Sequence, residues 1–563
     1  MSRIIGIDVG GTNTNAAFLE NGNLIATAKY PTDHHNLISS VNAVLEQIYH
    51  SIPHYPRGQL ELHLSTTLTT NAIVEGRGRP VAAIITPGPG VNLSDLKFPF
   101  PTFPVKGIID HRGRETEPLD LAEVRQALHS IRQTGVTAIA VVGKFSTRNP
   151  RHELAIAELV EKEYPETVPV TLGHSLSGRL NFPRRVMTAF LNASVCRIQT
   201  DFAKMVKELS SRYGIGQQIF LLKADGGTML LTESLIRPVE TILSGPAASI
   251  MSTLALGQPE GGTTVTLDIG GTTTEIGIIT SGKPLEERDG AVIAGYRTLV
   301  PALFSRSFGL GGDSQVYWAE EKIQIGPGRK GPPIALGGPE LTPTDAVIAL
   351  GKVPFGDVRK AWVALEQFGR EAGMGPEVTA KQIIAVFCEK ATAQIRAVFD
   401  YLNSLPVYTV SEALAPQVLK PEKIIGMGGP AEFFIPKIAA NLGLPYQVLP
   451  FAESANAVGA AASRPTVAIN LRADTALGKM VVPELDEITD IHHGMLCDLK
   501  QIRETAWEKV AAYADRVGIN PGQLEIEITD EEVFNVVRGF YTTGKIFLVK
   551  AQVRPGINPI KIP

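Results

Sequence analysis

Residues 7–15 of this chain read IDVGGTNTN, and residues 267–275 read LDIGGTTTE. Apolar and β-branched residues precede and follow each copy, which is typical of two antiparallel strands joined by a tight turn. Because the same stretch returns 260 residues later, the sequence predicts two related halves that face each other across a cleft. A purely structural turn does not need its carboxylate and hydroxyl in both copies. The repeat therefore favours ligand binding by both turns.

Each turn has the pattern Asp-x-Gly-Gly-Thr, which suits the phosphate groups of a nucleotide. The paired glycines are expected to take positive φ at both turn centres and to leave their backbone N–H groups open to phosphate oxygens. Carboxylates at the strand ends can hold Mg²⁺ against those phosphates, and threonine hydroxyls can donate to them. The sequence thus predicts catalytic roles for Asp8, Thr12, Asp268 and Thr272, with both aspartates also serving the metal. It predicts ATP-binding roles for Gly10, Gly11, Asn13, Gly270, Gly271 and Thr273.

A third glycine cluster lies at residues 424–430, which read IIGMGGP. It ends a strand-like apolar run and precedes a helical pattern. Backbone without side chains at Gly428 and Gly429 could lie flat against the adenine or ribose of a nucleotide. An ordinary turn between a strand and a helix is the alternative, and the residues leave both interpretations open.

Length and periodicity predict several domains, because 563 residues are too many for one hydrophobic core. Strand-like runs alternate with helical patterns such as residues 184–213 and 380–405, which indicates a layered α/β fold. The predicted strands are Arg3 to Val9, Val81 to Thr86, Val136 to Val142, Gln218 to Lys223, Thr264 to Ile269 and Lys423 to Met427. We expect an N-terminal lobe over 1–183, a second lobe over 184–464 and a small α+β appendage over 465–563.

The composition excludes several classes of partner. The net charge is −4 and lysines and arginines form no long runs, so we expect no nucleic acid partner. No run of about 18 apolar residues occurs, which argues against a membrane span and a membrane partner. Three widely spaced cysteines fit a reducing compartment. The sequence therefore favours a cytoplasmic location.

The three glycine motifs, in this order, resemble the phosphate 1, phosphate 2 and adenosine motifs of the superfamily of actin, heat-shock chaperones and sugar kinases. Further stretches resemble one branch of it, the hydantoinase/oxoprolinase family. These are TTLTTNAIVE at 66–75, DGG at 225–227, SGPA at 244–247, GLGG at 309–312 and TPTDA at 342–346. The resemblance covers residues 3 to about 462. It implies two ribonuclease-H-like (actin-like ATPase) lobes around a nucleotide cleft, plus the C-terminal appendage.

The resemblance also assigns further site residues. It implies that Gly311 and Gly312 bind the nucleotide. It favours a cleft-lining role on the substrate side for Thr66, Thr67, Thr70 and Asn71, although these residues could instead cap a helix. Two departures leave the exact reaction open: Leu64-Ser65 stands where the family commonly has His-Gly, and Asn15 stands where the first hairpin often ends in Asp.

The function that the resemblance implies is an ATP-dependent amidohydrolase subunit. It would phosphorylate a cyclic amide of the hydantoin, 5-oxoproline or lactam type, so that a separate B-type partner subunit can open the ring by hydrolysis. Phosphorylation is useful here because an amide carbonyl is a poor electrophile. The alternatives are the nucleotide-binding subunit of an ATP-dependent ketone carboxylase, a small-molecule kinase, and an ATP-driven regulatory protein of the same fold.

Overall fold

The computed structural model describes residues 3–33, 36–52, 60–165, 170–216, 218–353, 355–406, 418–491, 497–519 and 524–561. The strands between residues 3 and 213 are β1 (Arg3–Val9), β2 (Asn13–Glu20), β3 (Asn23–Pro31), β4 (Glu61–Thr66), β5 (Val81–Thr86), β6 (Thr102–Pro104), β7 (Ile108–Ile109), β8 (Glu115–Glu117), β9 (Ala138–Gly143) and β10 (Thr171–Leu172). The helices of the same part are α1 (Leu37–Ser51), α2 (Leu68–Val74), α3 (Leu121–Gln133), α4 (Arg151–Glu163), α5 (Gly173–Leu176) and α6 (Phe182–Tyr213).

The middle part of the chain has strands β11 (Ile219–Leu222), β12 (Thr228–Leu230), β13 (Thr263–Ile269), β14 (Thr274–Thr280), β15 (Lys283–Pro284), β16 (Val292–Ile293), β17 (Tyr296–Arg297), β18 (Ser305–Phe308), β19 (Val316–Ala319) and β20 (Lys322–Ile325). Its helices are α7 (Ser244–Ser252), α8 (Pro343–Ala349), α9 (Val358–Arg370) and α10 (Pro376–Ser404).

The last part has strands β21 (Lys423–Met427), β22 (Tyr446–Val448), β23 (Ala468–Asp474), β24 (Lys479–Val482), β25 (Glu487–Asp490), β26 (Ile526–Arg538) and β27 (Tyr541–Val553). Its helices are α11 (Ala431–Leu442), α12 (Ala455–Ala462) and α13 (Leu499–Arg516). Among the helices of the described residues, none combines the length and the apolar character that crossing a bilayer requires.

Two mixed sheets repeat the same strand order. The first runs β3-β2-β1-β4-β11-β12 and the second runs β15-β14-β13-β21-β22, with β18 also paired to β14. In each sheet the first three strands are antiparallel, and the next two are parallel to the central strand. This arrangement confirms the predicted α/β fold of two ribonuclease-H-like lobes, with one repeated hairpin at the same place in each.

A third sheet of parallel strands, β10-β9-β5-β6, is inserted into the first lobe. Helices α3 and α4 cover one face of this sheet, and α6 covers the other. Helix α6 then continues onto the first mixed sheet, where Phe202 and Val206 join its core. That sheet takes β11 and β12 from beyond residue 183, so the predicted boundary there does not coincide with the sheet's edge. The domain bounds themselves stay a prediction.

Small residues pack helices α7 and α12 between the two mixed sheets. Side chains of both sheets and of α12 share one apolar cluster, which includes Ala17, Met427 and Val458. At Gly6 a Cβ would lie 2.1 Å from the carbonyl oxygen of Ala457, and at Gly459 it would lie 2.4 Å from that of Ala248. The lobes therefore meet through backbone that has no room for a methyl group.

The C-terminal residues form an antiparallel sheet in the order β25-β24-β23-β27-β26. Helix α13 packs on it through Ile502, Ala506 and Val510. The predicted small α+β appendage is confirmed.

Candidate functional site

The two repeated hairpins have the same geometry. In the first, Asp8 lies opposite Asn15, and in the second Asp268 lies opposite Glu275. The turns close alike, because the N–H of Gly10 donates to the carbonyl of Asn13 at 3.1 Å and the N–H of Gly270 donates to that of Thr273 at 2.9 Å. Each strand-turn-strand unit is therefore the hairpin that the sequence predicts.

The predicted positive φ at the glycine pairs is wrong. None of Gly10, Gly11, Gly270 and Gly271 is among the positive-φ glycines of the described residues. The physical reason is loop length: four residues separate the last paired residues of each hairpin, Val9 and Thr14 in the first and Ile269 and Thr274 in the second, so the left-handed geometry of a two-residue turn is not needed. The glycines provide space instead.

Both turns open into one cleft between the lobes, with a volume of about 570 Å³. The helix that follows β21 begins at the same cleft. The structure thus brings together most of the residues that the sequence assigned to the site: Asp8, Gly10, Gly11, Thr12, Asn13, Thr67, Asp268, Gly270, Gly271, Thr272, Thr273, Gly428 and Gly429.

Gly311 and Gly312, which the sequence assigned to the nucleotide, do not line this cleft. The N–H of Gly312 donates to the carbonyl of Gly270 at 2.9 Å, and a Cβ on Gly311 would lie 2.3 Å from the carbonyl oxygen of Gly271. Both glycines brace the second hairpin, because a side chain at either position would collide with neighbouring atoms. Their contact with the nucleotide stays a prediction.

Of the four predicted substrate residues, only Thr67 lines the cleft. The Oγ1 atom of Thr66 accepts from the N–H of Leu68 at 3.1 Å, and that of Thr70 accepts from the N–H of Leu243 at 3.0 Å. Asn71 donates to Thr67 Oγ1 at 3.3 Å. The cleft-lining prediction is therefore wrong for Thr66, Thr70 and Asn71, whose side chains stabilise the local backbone and position Thr67.

Asp8 is a buried carboxyl group, 5% exposed. Burial raises its pKa to about 7; the charge of Asp268 acts in the same direction, and Ser65 and Asn456 oppose the shift. Its Oδ1 atom has no hydrogen-bond partner among the described residues. A buried carboxylate oxygen without a donor indicates a place for a cation, because the ionised form is otherwise costly.

Asp268 is held differently. Its Oδ2 atom accepts hydrogen bonds from Ser249 Oγ at 2.7 Å and from Asn456 Nδ2 at 2.8 Å. The neighbouring acid Glu275 was missed by sequence reasoning. Burial raises the pKa of Glu275 to about 8, and the charges of Asp268 and Asp8 raise it further. The cleft therefore gathers three carboxyl groups that repel one another when ionised.

Arg329 joins the two hairpins across the cleft, and sequence reasoning missed it too. One Nη atom donates to the hydroxyl of Thr12 at 3.2 Å and also approaches that of Thr272 at 3.4 Å. The other Nη donates to Asp313 at 3.0 Å. A guanidinium that reaches the threonine of both turns is placed to bind a phosphate group that both turns contact.

The overlooked residues had weak signals in the sequence. Glu275 marks the one strong difference between the two repeats, since Asn15 takes its place in the first. Arg329 lies in the glycine-rich stretch GPGRKG at 326–331, which resembles no motif of the repeats. Neither stretch of sequence indicates that the side chain of Glu275 or Arg329 reaches the cleft, because that position depends on how the two lobes pack.

Among the described residues, no three His, Cys, Asp or Glu side chains form a group that could hold a metal ion by themselves. The carboxyl groups of the cleft fit a cation that takes its remaining ligands from phosphate oxygens and water. Mg²⁺ prefers that mode of binding.

Comparison with known proteins identifies related chains. A family model described as hydantoinase/oxoprolinase matches residues 185–469, and a model of the N-terminal region of that family matches residues 4–164. The chain is 25% identical over 479 residues to caprolactamase subunit alpha of Pseudomonas jessenii, which covers 79% of this chain and 68% of that protein. It is 27% identical over 393 residues to the acetophenone carboxylase gamma subunit of Aromatoleum aromaticum, with 62% and 53% covered.

Two solved structures share the fold over the whole length of this chain. The nucleotide-free structure of acetone carboxylase superposes with a TM-score of 0.72 at 17% identity and is covered over 88% of its chain. The ATP-dependent caprolactamase from Pseudomonas jessenii superposes with a TM-score of 0.70 at 21% identity and is covered over 89%. These two likenesses show the shared fold. The matched family models, which span most of the sequence, show that the chain belongs to the hydantoinase/oxoprolinase family.

Proposed function

We propose that this chain binds Mg-ATP in the cleft and transfers the γ-phosphoryl group of ATP to the carbonyl oxygen of a cyclic amide. The observation that carries the proposal is the contact of one guanidinium, that of Arg329, with the threonines of both glycine turns. Cation and hydroxyl donors from two hairpins meet there, as the equatorial oxygens of a transferring phosphoryl group require.

Each group has a role in this reaction. The turn glycines leave room for phosphate oxygens, since a Cβ on Gly11 would meet no atom of the described part of the chain within 4 Å. Asp8 and Asp268 hold Mg²⁺, whose charge offsets that of the phosphates. Asp268 is oriented by its two hydrogen-bond donors, whereas Oδ1 of Asp8 accepts no hydrogen bond from the described residues. Thr12, Thr272 and Arg329 bind the phosphates, and Gly428 and Gly429 face the nucleoside.

The phosphoryl group activates the amide for ring opening. Attack of the carbonyl oxygen on the γ-phosphorus breaks the bond to ADP and leaves a carbon that water can attack. After water adds, the ring C–N bond breaks, the nitrogen leaves as an amine that takes up a proton, and a second water hydrolyses the resulting acyl phosphate to a carboxylate and phosphate. Water activation is assigned to a separate B-type partner subunit. His63 is unsuited to that task, because it is buried with Nδ1 3.1 Å from the carbonyl oxygen of Ala460. The two relatives above are themselves named as subunits.

A ketone carboxylase is the second candidate. The 27% identity to an acetophenone carboxylase subunit favours it specifically. The same site would then phosphorylate an enolate or bicarbonate, and the partner subunit would join the two carbon centres. A cytoplasmic location suits either reaction: ATP is available there, and all three cysteines are free thiols.

Substrate-dependent ATP hydrolysis tests the proposal. Purified protein is assayed with lactams, hydantoins and 5-oxoproline, and separately with ketones plus bicarbonate, each with and without the co-expressed B-type subunit. We expect cyclic amides to raise ADP release and ring opening to need the partner. Stimulation only by ketones with bicarbonate would establish the second candidate. No ATP-dependent thermal stabilisation at millimolar Mg-ATP would contradict both.

A further inference from the structure

The edge strand β26 of the appendage is long and uncovered. Among the described residues it pairs with β27 on one side, and no strand pairs with its other side. The register shift near Val536 places its extra residue, Thr543, in β27, so residues 530–538 of β26 run without an insertion. The strand contains neither proline nor lysine, two residues with which proteins commonly blunt a free edge. A free edge of this kind is a template for the addition of another strand.

Large apolar side chains along this edge are exposed. Val533 is 42% exposed, Phe534 is 49% exposed and Val537 is 59% exposed. The turn that follows the strand adds Phe540, which is fully exposed. These side chains follow one another closely along one strand, so they form a stripe rather than isolated surface residues. Contiguous exposed apolar surface on a folded protein marks a site that binds another macromolecule.

The sequence of this edge is nearly symmetric about Asn535. Residues 531–539 read EEVFNVVRG, so two apolar residues lie on each side of Asn535, and Glu532 and Arg538 enclose them. Neither Glu532 nor Arg538 forms an ion pair with another described residue. An antiparallel second copy of the strand, related by a two-fold axis at Asn535, would therefore set Glu532 against Arg538 at both ends and apolar residues against apolar residues between them.

The remaining pairs of this register are also compatible. The amide of Asn535 would face its own counterpart, with which it can exchange hydrogen bonds because it carries both donors and an acceptor. The carboxylate of Glu531 already accepts a hydrogen bond from Arg503 Nε at 2.7 Å. In the second copy Glu531 would face Gly539, which has no side chain to compete for that carboxylate.

A shift of the axis by one residue loses this match. An axis at Phe534 would oppose Asp530 and Arg538, but it would set Glu532 against the apolar Val536. An axis at Val536 would set Arg538 against Phe534. The axis at Asn535 is therefore the one of the three that pairs each charge at the ends of the stripe with an opposite charge and leaves none against an apolar residue.

We propose that two copies of this chain associate through β26, with the two strands antiparallel around a two-fold axis at Asn535. The pairing would join two five-stranded sheets into one continuous sheet and cover the apolar stripe. Main-chain hydrogen bonds would hold the strands together, and the two pairs of Glu532 with Arg538 would select the register. No residue of β26 lines the nucleotide cleft. The dimer is therefore independent of the proposed function.

Sedimentation velocity of the full chain tests the dimer, which we expect at micromolar concentrations. Glu532→Arg and Arg538→Glu should each raise the dissociation constant of the dimer by roughly tenfold, because each dimer holds two such pairs and either variant makes both repulsive. An equimolar mixture of the two variants should regain the dimer, since every arginine then meets a glutamate. Glu366→Arg on the exposed side of α9 is the control and should leave the dimer unchanged. A monomeric wild type, or a mixture that associates no more tightly than its parents, would overturn the proposal.

Cysteine cross-linking locates the axis. Residues directly opposite each other in an antiparallel pair lie at a Cα separation that a disulfide can span. Asn535→Cys should therefore give a disulfide-linked dimer on mild oxidation, whereas Phe534→Cys, one residue from the axis, should not. Wild type sets the background from the three native cysteines. Equal cross-linking at both positions would overturn the register. A monomeric chain whose Asn535→Cys thiol is protected by the co-expressed B-type subunit would overturn the proposal in favour of that subunit.

Discussion

The two glycine hairpins share one sequence pattern but differ in what surrounds them. The first is open: a Cβ on Gly11 would meet no atom of the described residues within 4 Å, and Asp8 has an oxygen without a donor among those residues. The second is braced: a Cβ on Gly271 would lie 2.7 Å from the carboxylate of Asp313, and Asp268 has two donors on one oxygen.

This difference indicates a division of labour after duplication. A carboxylate held by two donors is fixed in orientation, which suits a permanent role beside the metal. A carboxyl group with a pKa near neutrality exchanges its proton when a cation arrives. We therefore interpret the second hairpin as the rigid side of the site and the first as the side that adjusts to the ligand.

The largest expected effect concerns the rigid side. Asp268→Asn keeps the shape but removes the charge, so we expect ATP turnover to fall by roughly 100-fold to 1,000-fold, as for loss of one preorganised electrostatic contact. ATP affinity should change much less, because the turn backbone binds most of the phosphate. Steady-state ATPase kinetics check this, with Asp400→Asn on the exposed face of α10 as the control. An unchanged rate would remove Asp268 from the mechanism.

Substituting alanine for Gly11 or Gly271 tests whether the first turn is open and the second is braced. Gly11→Ala places a methyl group in the open space, so it should abolish the ATP-induced rise in melting temperature while the nucleotide-free protein melts within a few degrees of wild type. Gly271→Ala meets Asp313 instead, so it should destabilise the nucleotide-free protein by about 1–3 kcal/mol. Differential scanning fluorimetry with and without Mg-ATP separates the two. Similar behaviour of both variants would contradict the distinction between an open and a braced turn.

The next largest expected effect is the loss of Arg329, which contacts the threonines of both hairpins. Arg329→Met should raise the Kd for ATP by roughly 10-fold to 100-fold, the equivalent of one charge-assisted hydrogen bond. Lys330→Met is the matched control, because Lys330 is exposed and pairs with Glu340. Calorimetric titration measures both variants. A loss of affinity shared by the control would show that general charge, not the bridge, binds the nucleotide.

The last expected effect is a gain in stability that depends on pH. Because the pKa of Asp8 is raised from 3.8 to about 7, the folded protein holds that proton more tightly than the unfolded chain, and its contribution to stability falls as the pH rises from about 4 to 7. Asp8→Asn removes this loss. We expect the nucleotide-free variant to be more stable than wild type by a few kcal/mol at pH 8.5, with about 4 kcal/mol as the full linkage of this shift, and by almost nothing near pH 4.

Urea unfolding at both pH values measures this gain. Asp268→Asn serves as the comparison, since it replaces the charged acceptor of two hydrogen bonds with a weaker neutral one and should not gain stability. A gain in the Asp268 variant, or none in the Asp8 variant, would reverse the roles that we assign to the two hairpins.

The sequence predicted the individual strands and helices better than it predicted which strands pair with one another. Strands Arg3–Val9, Val81–Thr86 and Lys423–Met427 were predicted with their observed bounds, and the helix predicted over 184–213 spans Phe182–Tyr213. The sequence did not predict that β11 and β12 belong to the first sheet, because the pairing of β11 with β4 depends on how the intervening insertion folds back, and β12 pairs only with β11 in that sheet.

In the candidate site, too, local features were predicted and contacts between distant parts of the chain were not. Asp8, Asp268 and the turn residues were found, because repetition is visible along the chain. Arg329 and Glu275 were missed, because their importance arises only where the two lobes meet. The positive φ expected at the glycines was wrong for a related reason: hairpin length, rather than glycine content, decides the turn geometry.

The tight contact between the lobes has a consequence for sequence drift. Gly6 and Gly459 each face a backbone carbonyl at a distance that excludes a methyl group, as Gly277 does against the side chain of Ile250 at 2.5 Å. A deep mutational scan that selects only for folded protein should therefore tolerate every non-glycine residue worse at these three buried positions than at Gly11. The glycines at the contact between the lobes would therefore be retained even in descendants that no longer bind a nucleotide.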